Sequence, residues 1–119
     1  MNKRKDIIID CDPGQDDAVM LLLAFGAPED LNILGITTVA GNVSLLKTSR
    51  NARIISEIGG RQDIKIFAGC EKPLIQNLVT AEHVHGTEGI DGAPIYEPKL
   101  QLQKEHAVDF IISTLVMAP

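Results

Sequence analysis

The sequence predicts an α/β fold with a parallel sheet, opening on a Rossmann-like βαβαβ unit. Three observations carry that expectation. A β-branched apolar run stands at residues 7–9, segments of helical period follow it and the next such run, and a polar segment directly succeeds each strand. Strands alternating with helices favour parallel pairing through right-handed crossovers. At 119 residues the chain can bury one core but is too short for two ordinary domains.

Each element has its own signal. Ile7, Ile8 and Ile9 form a continuous apolar run, the pattern of a strand buried on both faces. Pro13 and Gly14 turn the chain. From Asp16 the period becomes helical, with Ala18, Leu21, Leu22 and Phe25 on one stripe, acidic residues at the positive end of the helix dipole, and Gly26 as the stop. Residues 31–39 read as a second strand. Ser44 is placed to cap a second helix that runs to Ile58, with Leu45, Ala52, Ile55 and Ile58 facing inward and Gly59 and Gly60 closing it. A third strand spans 64–68. Residues 69–104 read as a long irregular stretch, which in a small domain is either functional or disordered. A last helix over 105–117 carries Ala107, Phe110, Ile111 and Leu115 as its packing stripe, with His106 structural at its start.

Composition narrows the partners. A net charge of −5, three Phe, one Tyr and no Trp provide neither the basic surface nor the stacking platforms that a nucleic-acid polymer requires. The apolar run AVMLLLAF is far too short for a membrane span, and no stretch matches a signal peptide, so the expected location is cytoplasmic. Cys11 and Cys70 lack metal or redox spacing and read as buried, reduced thiols.

The feature that demands chemistry is DCDPGQDD. Asp10, Asp12, Asp16 and Asp17 fall where the first strand ends, and ligands of open parallel sheets bind beyond the carboxyl ends of the strands. TVAGN after the second strand and AGCEKP after the third are expected at the same edge, so that three distant segments share one crevice. Four carboxylates in a partly desolvated site need a cation, shared protons or raised pKa values. Calcium suits the irregular oxygen geometry of a strand end and loop. The competing reading leaves Asp16 and Asp17 to complement the helix dipole and Asp10 and Asp12 to cap the turn. An EF-hand is excluded, because counting from Asp10 its sixth and twelfth positions hold Gln15 and Leu21. A haloacid-dehalogenase-type, magnesium-dependent phosphatase would use Asp10 as nucleophile and Asp12 as acid/base, but the continuation Pro13-Gly14-Gln15-Asp16-Asp17 differs from the one it expects.

Taken in order, DCDPGQDDAVMLLLA, ITTVAGN, AGCEKPL, HVHGTEG and HAVDFIISTLV resemble the N-terminal part of the inosine-uridine-preferring nucleoside hydrolases. The resemblance implies hydrolysis of the N-glycosidic bond of ribonucleosides by a calcium-activated water, with Ca2+ as cofactor and a nucleoside as substrate. It implies Asp12 and Asp17 as calcium ligands, with Asp10 supporting the cluster, and Asp12 also as general base. Asp16 and Asn42 would hydrogen-bond the ribose hydroxyls. His85, in a flexible flap with His83, Thr80, Gly86 and Gly89, would approach the 5′ side of the ribose. These roles suit an oxocarbenium-like transition state, which carboxylates stabilise and an activated water captures.

Family enzymes are much longer, so the expectation is that residues 1–119 form the N-terminal portion of a single nucleoside hydrolase domain. Further calcium ligands, ribose contacts and leaving-group groups would lie elsewhere. A homo-oligomer, dimer or tetramer, is expected of the full-length form. The alternative is an inactive short form acting as a metal- or ribose-binding scaffold.

Overall fold

The computed structural model of the chain describes residues 3–119, so the first two residues of the predicted domain lie outside the described part. Strand β1 (Lys5–Cys11) leads into helix α1 (Gln15–Phe25), strand β2 (Leu31–Thr38), helix α2 (Leu45–Ile58) and strand β3 (Ile66–Ala68). A four-residue helix α3 (Glu82–His85) interrupts the long connection before helix α4 (Ala107–Met117). The sheet order is β1-β2-β3, and both pairings are parallel. The predicted βαβαβ start is therefore present, and the ends of all three strands point to one edge.

One core forms between the sheet and the two crossover helices. Leu21 and Phe25 from α1, and Ala52, Ile54 and Ile55 from α2, pack on Ile9, Ile33, Ile36 and Ile66. Burial of these aliphatic side chains is the dominant favourable contribution, at about 1.5–3 kcal/mol for each large one. Among the described residues, no helix is long and apolar enough to cross a membrane.

Several sequence expectations need correction. Ile7 and Ile8 are only half-buried, because β1 is an edge strand in this sheet and α4 covers the second face incompletely. Leu22, Ile58 and Leu115, assigned to packing stripes, are exposed. The third strand begins at Ile66 rather than residue 64, and the last helix begins at Ala107. Ser44 stands at the N-terminus of α2 but its side chain makes no capping bond. His106 does cap α4, its Nδ1 accepting the Val108 N–H at 3.1 Å. Cys11 is buried as expected, whereas Cys70 is exposed beside the loop that follows β3. Burial, with the charges of Asp17, Asp10 and Asp12 behind it, pushes the Cys11 thiol far up and leaves it unreactive.

The second sheet face turns on Gly35. A bulge between Ile7 and Ile8 in the β1-β2 register shifts the pairing so that Ile8 lies opposite Gly35. Phe110 of α4 stacks on Phe67 there, with ring centroids 3.8 Å apart and planes 10° from parallel. A Cβ at position 35 would stand 2.6 Å from Phe110 and 3.1 Å from Phe67, so the sheet needs glycine for α4 to dock. Beyond this contact the face stays open as a cleft of about 780 Å³, lined by Ile8, Leu34, Phe67, Phe110 and Leu115. None of the predicted site residues lines it. Gly35→Ala should therefore destabilise the chain by about 1–3 kcal/mol in urea unfolding, through overpacking rather than backbone strain. Adding Phe110→Leu should recover part of that loss, and strict additivity of the two substitutions would show that the rings are not the obstacle.

Candidate active site

The site is built by the two turns that leave β1 and β2. After β1 the chain passes through buried Pro13 and Gly14 into α1, whose first turn carries Asp16 and Asp17. After β2 it passes through Gly41 and Asn42 towards α2. Asn42 joins the two turns: its backbone N–H donates to Asp12 Oδ2 at 2.8 Å, and its Nδ2 donates to the Asp12 carbonyl at 2.9 Å. Gly41 makes this approach possible, since a Cβ there would collide with the Asp12 carboxylate.

Asp17 folds back on the same residue, its Oδ2 accepting the Asp12 N–H at 3.0 Å. Both residues are half-buried. Burial, reinforced by the charges of Asp12 and Asp16, raises the Asp17 carboxyl above its ordinary range, although the Asp12 N–H opposes that shift. The Asp17 charge is thus held at a cost in free energy.

The structure therefore brings Asp12, Asp17 and Asn42 together. Asp16 is exposed beside Asp17, and no protein donor engages its carboxylate among the described residues. Asp10 does not hydrogen-bond to this group. It is exposed at the end of β1, and its Oδ1 accepts the Thr37 hydroxyl of β2 at 2.6 Å. Among the described residues, no three His, Cys, Asp or Glu side chains gather into a metal-holding group. Of the three residues predicted to hold the metal, Asp12 and Asp17 are joined by a hydrogen bond, and Asp10 bonds to Thr37.

His85 reaches the same turn from α3, its Nδ1 accepting the Gln15 N–H at 3.1 Å. That bond requires an unprotonated Nδ1 and leaves Nε2 as the ring's donor. Gly14 provides the space, because a Cβ there would lie 2.6 Å from His85 Nδ1 and 2.8 Å from Asn42 Nδ2. His83 is exposed and takes no part in this contact.

Sequence reasoning missed the residues that hold the flap. Lys47 Nζ donates to the Thr87 carbonyl at 2.7 Å, Arg50 pairs with Glu88 at 2.5 Å, and Asn51 Nδ2 donates to the Pro13 and Glu88 carbonyls at 3.1 and 2.7 Å. The signal lies in burial, which the structure supplies: α2 buries Ser49, Asn51 and Arg53, each of which bonds outside the helix. Buried polar residues on a helix indicate hydrogen-bond partners outside it.

The fold and site can now be set beside known proteins. Residues 7–119 match the family described as inosine-uridine preferring nucleoside hydrolase. The chain belongs to that family. An uncharacterized protein of Schizosaccharomyces pombe is 52% identical over 92% of this chain and 35% of its own length. The inosine-uridine preferring nucleoside hydrolase of Crithidia fasciculata is 49% identical over 96% of this chain and 36% of its own. Among solved structures, the plant nucleoside hydrolase PpNRh1 superposes with a TM-score of 0.89 at 31% identity, over 98% of this chain and 37% of that one. The purine-preferring ribonucleoside hydrolase of Gardnerella vaginalis gives 0.86 at 31% identity, over 95% and 37%. The chain thus spans about a third of the length of these relatives.

The raised Asp17 carboxyl makes a signed prediction. Its protonation favours the folded state, so that contribution is present below the ordinary carboxylate range and lost as pH rises through the raised value. Asp17→Asn keeps an acceptor for the Asp12 N–H and removes the charge. In cation-free buffer it should raise the melting temperature at about pH 7, and the advantage should shrink as the pH falls through the carboxylate range to about pH 4. A variant that melts lower than the parent at neutral pH would contradict this account.

Proposed function

We propose that this chain is the N-terminal portion of a nucleoside hydrolase that cleaves the N-glycosidic bond of ribonucleosides, with Asp12 and Asp17 as one half of a calcium site. The observation that carries the reading is the Asp12–Asp17–Asn42 arrangement at the carboxyl edge of a parallel sheet, in a chain of this family. The donor chemistry fits a hard cation, since the group offers carboxylate oxygens and neither sulfur nor imidazole. Asp12 and Asp17 each commit one oxygen to a backbone N–H, which fixes the carboxylate while the other oxygen has no protein donor among the described residues. Relief of the strain on the Asp17 charge would add to the affinity.

A divalent cation bound here would supply Lewis acidity and an anchor for the ribose hydroxyls. Asp12 then serves as the base that takes a proton from the attacking water, oriented for that task by the Asn42 N–H. Asp16, exposed at the start of α1, and Asn42 bind the ribose. His85, with Nδ1 occupied by Gln15, offers Nε2–H to an oxygen at the 5′ side. Negative charge from the aspartates favours the oxocarbenium-like transition state. Asp10, held by Thr37, contributes to that field and supports the metal site from its edge.

Relatives of the chain include inosine-uridine preferring and purine-preferring enzymes, and a pyrimidine-specific ribonucleoside hydrolase of Photobacterium profundum that is 45% identical over 96% of this chain. Groups that act together in catalysis are strongly non-additive, so one side of a pocket gives little turnover. Calcium titrated into the 119-residue chain should raise its melting temperature, and Asp12→Asn should abolish the rise. Release of free base from inosine or uridine by the same chain should stay near background. A chain indifferent to calcium would remove the metal half-site, and turnover typical of enzymes would show that these residues suffice.

A further inference from the structure

Of the α2 side chains that hold the flap carrying His85, Asn51 also bonds to the turn after β1. We propose that Asn51 is a positioning residue that locks the DPGQDD turn and the HVHGTEG flap to each other. The proposal rests on the reading of the site above. Asn51 lies in α2 and is 0% exposed. Its Nδ2 gives one hydrogen to the carbonyl of Pro13, in the turn, and the other to the carbonyl of Glu88, in the flap. Among the described residues it is the side chain outside both loops that bonds to each of them.

The chemistry of this fork is restrictive. One atom must present two N–H donors on a short stem, which a primary amide does and a carboxylate, hydroxyl or aliphatic group of similar size does not. The flap backbone packs directly on it: Gly89 adopts φ +86°, and a Cβ there would stand 3.0 Å from Asn51 Nδ2 and 3.2 Å from the Pro13 carbonyl. Glycine at this position lets the backbone settle onto the amide.

Two consequences reach the site. The Pro13 carbonyl is held between Asp12 and the Gln15 N–H, so fixing it fixes the turn that presents both. The Gln15 N–H in turn holds His85, which closes a loop of bonds from Pro13 through Asn51 and Glu88 to His85 and back. The Lys47–Thr87 and Arg50–Glu88 contacts tie the flap to α2 but touch nothing in the turn. Being more exposed, they are also more open to competition from water and salt.

Site-resolved amide hydrogen exchange on the cation-free chain tests the proposal. Three amides suffice: Gln15, bonded to His85; Ala81, bonded to the Asn42 carbonyl; and Ile36, bonded to Lys65 inside the sheet. In Asn51→Leu, of similar volume but without donors, exchange at Gln15 and Ala81 should quicken by about tenfold or more while Ile36 keeps its rate. Calcium affinity should fall by about tenfold, since the turn no longer holds Asp12 and Asp17 in place. Arg50→Ala, which leaves the fork intact, should change Gln15 little. Equal quickening at all three amides would reduce Asn51 to a general stabiliser, and unchanged rates at Gln15 and Ala81 would remove the lock. If the leucine variant does not fold, the parent chain still decides: the Asn51 side-chain amide protons should exchange slowly as a pair, and rapid exchange of either overturns the fork. Because exchange is read without cation, failure of the parent to bind calcium would count against the proposed function and leave the fork to be judged by its own result.

Discussion

The two hydrogen bonds from Asn42 to Asp12 are the constraint on which the rest of the site depends. They join the turn after β1 to the turn after β2 at the one edge where a parallel sheet leaves both open. Three neighbouring features follow from them. Gly41 must lack a side chain, Asp12 has one oxygen committed and one available, and the Asp12 N–H is left for Asp17 to accept. Without the clamp, the Asp12 N–H bond to Asp17 would be left alone in the turn to oppose the repulsion between the two carboxylates. The clamp keeps charge where the fold alone would disperse it.

A second constraint runs through α2. This helix is buried along residues 51–56, polar positions included, because the chain from Gly86 onward straps across its outer side. Irregular backbone that is buried must find partners. Arg53 donates to the Leu100 and Pro98 carbonyls at 2.7 and 3.0 Å, and Glu57 accepts the Leu100 N–H at 2.8 Å. That bond and the Tyr96 hydroxyl hold the Glu57 carboxyl below its usual range and its charge in place. The same helix therefore secures the strap with Arg53 and Glu57 and the flap with Lys47, Arg50 and Asn51. Its apolar side meanwhile packs on the sheet.

The aspartate pair also shows a tension between stability and chemistry. Asp17 would serve the fold better uncharged, since burial and its neighbours resist its ionisation. Functional sites commonly retain such groups at a cost in stability that the scaffold makes up elsewhere. Here the scaffold is the aliphatic core beneath the turns, with Leu21, Ile36, Ile54 and Ile66 fully buried. Cys11 lies between the two environments, and its surroundings keep it a neutral packing group.

The sequence by itself determined the α/β class, the parallel βαβαβ start and the meeting of DCDPGQDD with TVAGN, because hydrophobic period and the position of polar segments at strand ends are local properties. It determined the family as well, through an ordered set of motifs. Only the tertiary structure decided which aspartates meet: Asp17 turns back to Asp12 across the start of α1, while Asp10, two residues along the strand, bonds instead to Thr37 of β2. Only the tertiary structure showed that Asn51, Arg50 and Lys47 contact the segment HVHGTEG. The exposure of Cys70, Leu22, Ile58 and Leu115 was likewise settled by what packs over each, and the side-chain cap expected of Ser44 did not form. The physical reason is common to all of these. A helical stripe or a strand run records that one face is apolar, whereas hydrogen bonds from a helix to loops 38 and 37 residues away depend on where the core places both ends.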